Sequence, residues 1–186
     1  MPFGRVKKTE PLDAEALHEY AVKALGRRMR TVAELTRLLR GRVEEGALGQ
    51  AKIDYVLKRL KEYGYLNDAD FAATYTRLRQ DNMALGQRRV RQDLTVKGVD
   101  KELISETLEA AYGDVNEEEL ARRHLERKRV KKPATDKDAA RVMRLLVRAG
   151  FSTGVIFKIL KSWDVEGEAL AGLESAGDEF DHEPEH

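Results

Sequence analysis

The histidines come first among the residues able to do chemistry, and their spacing excludes most of it. His18, His124, His182 and His186 are scattered. Only the last two approach a ligand spacing, in the terminal run HEPEH, where an acidic, hydrophilic segment offers a weak chelator and no fixed site. The run GRVEEGALGQAK brings glycines and a lysine together without the G-x-x-x-x-G-K-[ST] spacing that wraps phosphates. Asp68 and Asp70 form a carboxylate pair, but at a helix start capping and the helix dipole account for both. No Ser, His and Asp set stands out. With no cysteine, a thiolate metal site and a disulfide framework are both excluded, and a reducing compartment is the natural setting. The expectation is a protein that is not an enzyme, takes no cofactor and holds no metal.

The cations are more instructive, because they cluster. Arg77, Arg79, Arg88, Arg89, Arg91 and Lys97 lie within 21 residues that hold only Asp81 and Asp93 as acids. Arg88, Arg91 and Gln92 share one helix face by their three- and four-residue spacing, away from Val90 and Leu94. A second cluster, RRHLERKRVKK, supplies Arg122, Arg123, Arg127, Lys128, Arg129, Lys131 and Lys132 at the end of a helix and in the loop after it. Cations near a helix C-terminus favour the negative end of its dipole, which explains part of this density. A surface that meets a polyanion explains the rest, through phosphate contacts that are salt-dependent and largely indifferent to sequence. Aromatic residues are not interleaved with these clusters, which argues against a dedicated platform for stacking single strands.

The elements that must position these residues read as helices throughout. Thr31-Val-Ala-Glu34 has the form of a capping box and predicts a helix from Val32, with Leu35, Leu38 and Leu39 as its stripe. Ile53, Val56, Leu57 and Leu60 mark another helix, stopped by Gly64. Tyr65 and Leu66 are expected to pack into the joint that follows, Asn67 or Asp68 to cap, and Phe71, Tyr75 and Leu78 to face inward. Further helices carry Val90 and Leu94, then Leu103, Ile104 and Leu108 behind Asp100, then Leu120 and Leu125 behind Asn116 or Asp114. A last pair after Pro133 carries Val142, Leu145 and Leu146, then, beyond Ser152, Val155, Ile156, Ile159 and Leu160. At an offset of 52, Val90 falls on Val142, Leu94 on Leu146, Gly98-Val99 on Gly150-Phe151 and Ile104 on Ile156. At an offset of 49, Tyr63-Gly64 falls on Tyr112-Gly113. The fold class expected is therefore all-α, in tandem three-helix units, elongated because each unit is too small to bury a face alone.

Composition agrees. Charged residues make up 36% of the 186 and aromatics only 6%, as in helical proteins with interleaved surface charge. The longest stretch without a charge, Ala149–Phe157, is nine residues and far too short to span a bilayer, so a cytoplasmic protein is expected. The net charge of +1 hides an asymmetry: residues 165–186 hold eight of the 33 acids and no Lys or Arg, leaving 25 acids against 34 cations, about +9, in residues 1–164. The tail is expected to be a solvated acidic terminus or an internal competitor for the basic surface.

The run GYLNDADFA, followed by arginines, RRVRQDL and KGV, carries a resemblance. Gly64-Tyr65-Leu66, Asp68, Phe71-Ala72, Arg77, Arg79, Gly86, Arg89-Val90, Leu94 and Lys97-Gly98-Val99 resemble the signature of the RecX family, regulators of the RecA recombinase. TVAELTRLLR and LLVRAGFSTGVIFKIL are similar to the family's first and last units, and the likeness covers about residues 12–163. The chain departs from the family in the loop DNMALGQ, which lacks a further glycine and a following proline. The resemblance implies three tandem three-helix repeats, 12–67, 68–113 and 114–164, in a curved, elongated arrangement, between a basic segment 1–11 and the acidic tail 165–186. It implies a cytoplasmic, monomeric regulator, in DNA repair, homologous recombination and the SOS response, that lodges in the groove of the RecA–DNA filament or caps its growing end. Slower ATP hydrolysis, strand exchange and co-protease activity would follow, with sequence-independent binding to single- and double-stranded DNA through the two cation clusters. The rival reading is a helix-turn-helix transcriptional regulator, for which neither a polar base-reading helix nor a dimerisation element is evident.

Overall fold

The computed structural model describes residues 10–163. The acidic tail, His182 and His186, and nearly all of the segment 1–11 lie outside them. Among the described residues the chain is all-helical and has nine helices: α1 Ala14–Arg27, α2 Val32–Arg40, α3 Ala47–Glu62, α4 Asp68–Met83, α5 Gln87–Val96, α6 Lys101–Tyr112, α7 Glu117–Arg127, α8 Asp136–Ala149 and α9 Thr153–Ser162. The described residues form two compact units, one of residues 10–72 together with Thr95–Leu103, the other of Ala73–Leu94 together with residues 104–163.

Local rules set most of the boundaries. The capping box forms, with the Glu34 N–H donating to Thr31 Oγ1 at 3.0 Å and the Thr31 N–H donating to Glu34 Oε2 at 3.4 Å. The Thr31 hydroxyl in turn donates to the Lys97 carbonyl at 2.6 Å, tying the cap to a segment distant in sequence. Asn67, Asp100 and Asn116 each accept from the first turn of the helix they precede. Asp68 instead accepts from the Val32 N–H at 2.8 Å, and burial pushes its carboxyl above the ordinary range. At Gly64, Gly98 and Gly150 the backbone turns into the left-handed region after a helix, which side chains other than hydrogen rarely adopt.

In the first unit, α1, α2 and α3 pack around Leu17, Ala21, Leu35, Leu39, Ile53, Val56, Leu60 and Leu66. Tyr65 does not join them. Leu66 is buried while Tyr65 is 63% exposed, because the turn at Gly64 sends both N–H groups to the Leu60 carbonyl and only the second side chain inward. Likewise Leu78 is 45% exposed: Phe71, Ala72 and Thr76 centre the buried face of α4 on the far side of Phe71, which leaves Leu78 at its flank.

In the second unit, α7 and α8 both pack on α9, and Leu120, Leu125, Val142, Leu146, Phe151, Ile156, Ile159 and Leu160 are buried. The start of α5 meets the end of α8 backbone to backbone. The Gly86 N–H donates to the Ala149 carbonyl at 2.8 Å, and a Cβ at Gly86 would overlap the Gly150 carbonyl. Ser152 begins α9 without capping it; its N–H and hydroxyl both donate to the Glu117 carboxylate at 2.7 Å. Ala84, in the loop that departs from the family pattern, takes a positive φ of 46° with its methyl fully buried.

Candidate nucleic-acid interface

Four members of the first cation cluster, Arg79, Arg89, Arg91 and Lys97, are held by contacts within the chain. Asp93 is a hub that accepts from the Tyr75 hydroxyl at 2.9 Å and pairs with Arg89 at 3.0 Å and Arg79 at 3.9 Å. The Arg79 guanidinium also lies 4.6 Å from the centre of the Tyr75 ring. Burial pushes the Tyr75 phenol up, so it stays a donor to that carboxylate. In the other unit Lys97 pairs with Glu34 at 3.1 Å and lies over the Phe71 ring. Arg91 donates to Ser105 Oγ at 3.3 Å. Arg88 and Arg77 are exposed, and Arg77 has no ion-pair partner among the described residues.

The second cluster divides along its length. At its start, the α7 side chains close the C-terminus of α4. Arg127 donates from both terminal nitrogens to the Asn82 and Asp81 carbonyls, at 2.6 and 2.7 Å, and His124 meets the Met83 carbonyl through Nδ1 at 2.8 Å. A carbonyl only accepts, so Nδ1 carries the proton; with the cation it satisfies the orphan oxygens of that helix end. Arg122 pairs with Glu118 at 2.7 Å and reaches Ser162. Arg123 is exposed.

Beyond α7 the cations are differently placed. The loop after it and one face of α8 line a concavity of about 850 Å³ that includes Lys128, Arg129, Lys131 and Lys132 together with Arg141, Arg144 and Arg148. Asp138 is the one acid in the lining, and Thr135 at the α8 cap donates to it at 2.8 Å. The floor is apolar, from Val130, Pro133, Val142 and Leu145. Arg141, Arg144 and Arg148 follow one another at three and four residues, so they share one face of α8. Like charges at this spacing cost about 0.2–0.5 kcal/mol per pair, and among the described residues these three have no counter-ion. Arg129 stands in the left-handed region, φ 53°, where a side chain costs about 1–2 kcal/mol. A surface that concentrates positive charge at the expense of its own stability is suited to an external anion: the guanidinium forks match phosphate oxygens, and the apolar floor displaces water.

Sequence reasoning found the loop half of this concavity and missed the α8 half. The signal was present in ARVMRLLVRA, whose arginines stand opposite the Val142 and Leu146 stripe, but only the fold brings them to Lys128–Lys132. Among the described residues there is no group of three His, Asp or Glu able to hold a metal ion, and no helix long and apolar enough to cross a membrane.

Among the described residues the chain is all-helical and carries a concavity lined mainly by cations. Residues 67–108, from the cap of α4 into α6, match the family description "RecX, second three-helix domain". The regulatory protein RecX of Deinococcus radiodurans is 36% identical over 161 residues, covering 86% of this chain and 74% of that protein. The one from Mycobacterium sp. (strain JLS) is 32% identical over 157 residues, covering 82% and 84%. Among solved structures, RecX from Lactobacillus salivarius superposes with a TM-score of 0.64 at 20% identity, over 81% of this chain and 96% of that one. A second crystal structure of regulatory protein RecX gives 0.64 at 22% identity, over 80% and 71%. The chain belongs to the RecX family and is a regulator of the RecX type.

Proposed function

We propose that the chain is a negative regulator of the RecA recombinase. It binds the RecA–DNA filament in its groove or at its growing end, and lowers ATP hydrolysis, strand exchange and co-protease activity by occupancy. In this reading the chain is three tandem three-helix repeats, 12–67, 68–113 and 114–164. It works as a cytoplasmic monomer, makes and breaks no bond, and touches DNA itself. The observation that carries the DNA contact is the concavity between the 128–134 loop and α8, where seven cations converge on one surface and Arg141, Arg144 and Arg148 have no ion-pair partner among the described residues. Family membership supports the RecA filament as the partner; the charge gives a reason a polyanion would be held.

The test adds the protein in excess to RecA filaments on single-stranded DNA and follows ATP hydrolysis. Inhibition is expected, weakened when Arg141, Arg144 and Arg148 are changed together to Ala. Unchanged hydrolysis at excess protein overturns the reading. A preference of about a thousandfold for one duplex over random DNA would replace it with a sequence-specific regulator.

A further inference from the structure

Large apolar side chains at the surface are usually scattered singly. On α3 they are in file. Tyr55 and Tyr63 stand eight residues apart and are 51% and 60% exposed, with Arg59 midway between them. The Arg59 guanidinium lies 5.7 Å from the centre of each ring. Its two terminal nitrogens donate to the two phenol oxygens, at 3.3 Å to Tyr55 and 3.5 Å to Tyr63. Tyr65, 63% exposed, meets Tyr63 edge to face with centroids 6.4 Å apart. The row is thus Tyr–Arg–Tyr–Tyr, braced by its own contacts along the flank and C-terminal end of α3, about a quarter turn from the Ile53, Val56 and Leu60 stripe that enters the core.

We propose that this row is a stacking platform for the unpaired bases of a single strand, an inference that rests on the reading of the chain as a DNA-contacting regulator. Every base has a π face, and rings or guanidinium planes offered to solvent take it at about 1–3 kcal/mol per base with little regard for sequence. The bracing matters because side chains already fixed lose little freedom on binding. The spacing suits an extended strand: Tyr55 and Tyr63 are separated by about 12 Å along the helix axis, several times the 3.4 Å step of a duplex strand, so the bases that meet the two rings are splayed out of a stack with at least one nucleotide between them. The local charge admits phosphates, since Arg59 in the row and the exposed Lys58 beside it outnumber the Glu62 carboxylate, which faces Lys58 Nζ at 3.9 Å. An acidic peptide would call for a free arginine fork. Here the fork is committed to two phenols, and the ring faces turned away from the guanidinium are what remains on offer.

The experiment compares the whole protein with a Tyr55→Ala, Tyr63→Ala double variant, both positions being exposed and the fold checked by circular dichroism. Binding is measured by fluorescence anisotropy to three probes: a short oligothymidylate, an abasic phosphodiester strand of the same length, and a random duplex. The expected result is at least a tenfold loss on oligothymidylate, with the abasic strand and the duplex unaffected and the salt slope unchanged. A Tyr55→Phe, Tyr63→Phe variant should keep most of the affinity. An equal loss on the abasic strand, or no loss on oligothymidylate, overturns the platform. So does weaker RecA inhibition with oligothymidylate binding intact, which would assign the row to a protein partner. Because base dependence at fixed phosphate number is the readout, the platform can fail while the cationic concavity still binds, and the reverse. Failure of the native protein to bind any probe removes both.

Discussion

The α4–α5 arginines and those around α8 are the same residue type at similar density, and the protein uses them in opposite ways. Around Asp93 the positive charges complete a fold: Arg79 and Arg89 share a carboxylate with a tyrosine hydroxyl, inside a joint where α5 meets α8. Around the α8 concavity Arg141, Arg144 and Arg148 repel one another with no ion pair among the described residues. Cation density measures how much positive charge a segment carries; the availability of that charge depends on which acids the fold folds against it. Asp93 is one residue, yet it converts two arginines from ligands into struts.

The largest lesion should strike both regions at once. Gly150 has φ +86°, and a Cβ there would overlap the Arg89 backbone at the start of α5. Gly150→Ala is expected to destabilise the protein by about 3 kcal/mol or more, from left-handed strain and overpacking together, seen as a lower urea midpoint. A loss under about 1 kcal/mol would show that the two helices separate easily and that the regions do not share a joint.

Next in size, the triple change of Arg141, Arg144 and Arg148 to Ala should weaken DNA binding on the order of a hundredfold and flatten the log–log salt slope by about 2 or more, with stability kept. Arg89→Ala should change affinity by about twofold at most, its side chain being held by Asp93. Equal effects from the two would erase the distinction. A sharper form is Asp93→Ala, which removes the hub. We expect about 1–2 kcal/mol less stability, and a several-fold gain in DNA affinity as Arg79 and Arg89 are released, measured by denaturation and by anisotropy on the same sample.

What could be read in advance was what local chemistry decides. Thr31 with Glu34, Asn67, Asp100 and Asn116 at helix starts, and Gly64, Gly98 and Gly150 at helix ends, are written in spacings of a few residues. The apolar stripes of α3, α5 and α9 follow from period alone. What stayed hidden depended on partners far along the chain. That Arg127 would spend both its donors on the end of α4 requires α7 to lie against it, and that Arg141 would face Lys131 requires a loop to fold back. Tyr65 was misjudged for a subtler reason: of two adjacent apolar residues after a left-handed glycine only one can turn inward, and nothing in their types says which.

The smallest effect concerns Lys97, whose charge is also held internally, and it appears in the pH dependence of stability. Burial of Glu34 by itself would raise its carboxyl, but the hydrogen bond and charge of Lys97, helped by the Thr31 N–H, outweigh it and hold the group below the ordinary carboxylate range. A carboxyl depressed in the folded state favours folding above its unfolded pKa, and that contribution is lost as pH falls through the folded value. Asp68, raised by burial, acts with the opposite sign, holding its proton more readily folded than unfolded and so favouring folding as pH falls. Lys97→Met removes the group that depresses Glu34 and leaves Asp68 as it was. Stability measured by urea midpoint from about pH 7 to about pH 4 should therefore fall less steeply in the variant, by about 1 kcal/mol or less over the range. An unchanged slope would mean that Lys97 is not held by Glu34 in solution, and would move it from the struts to the free cations.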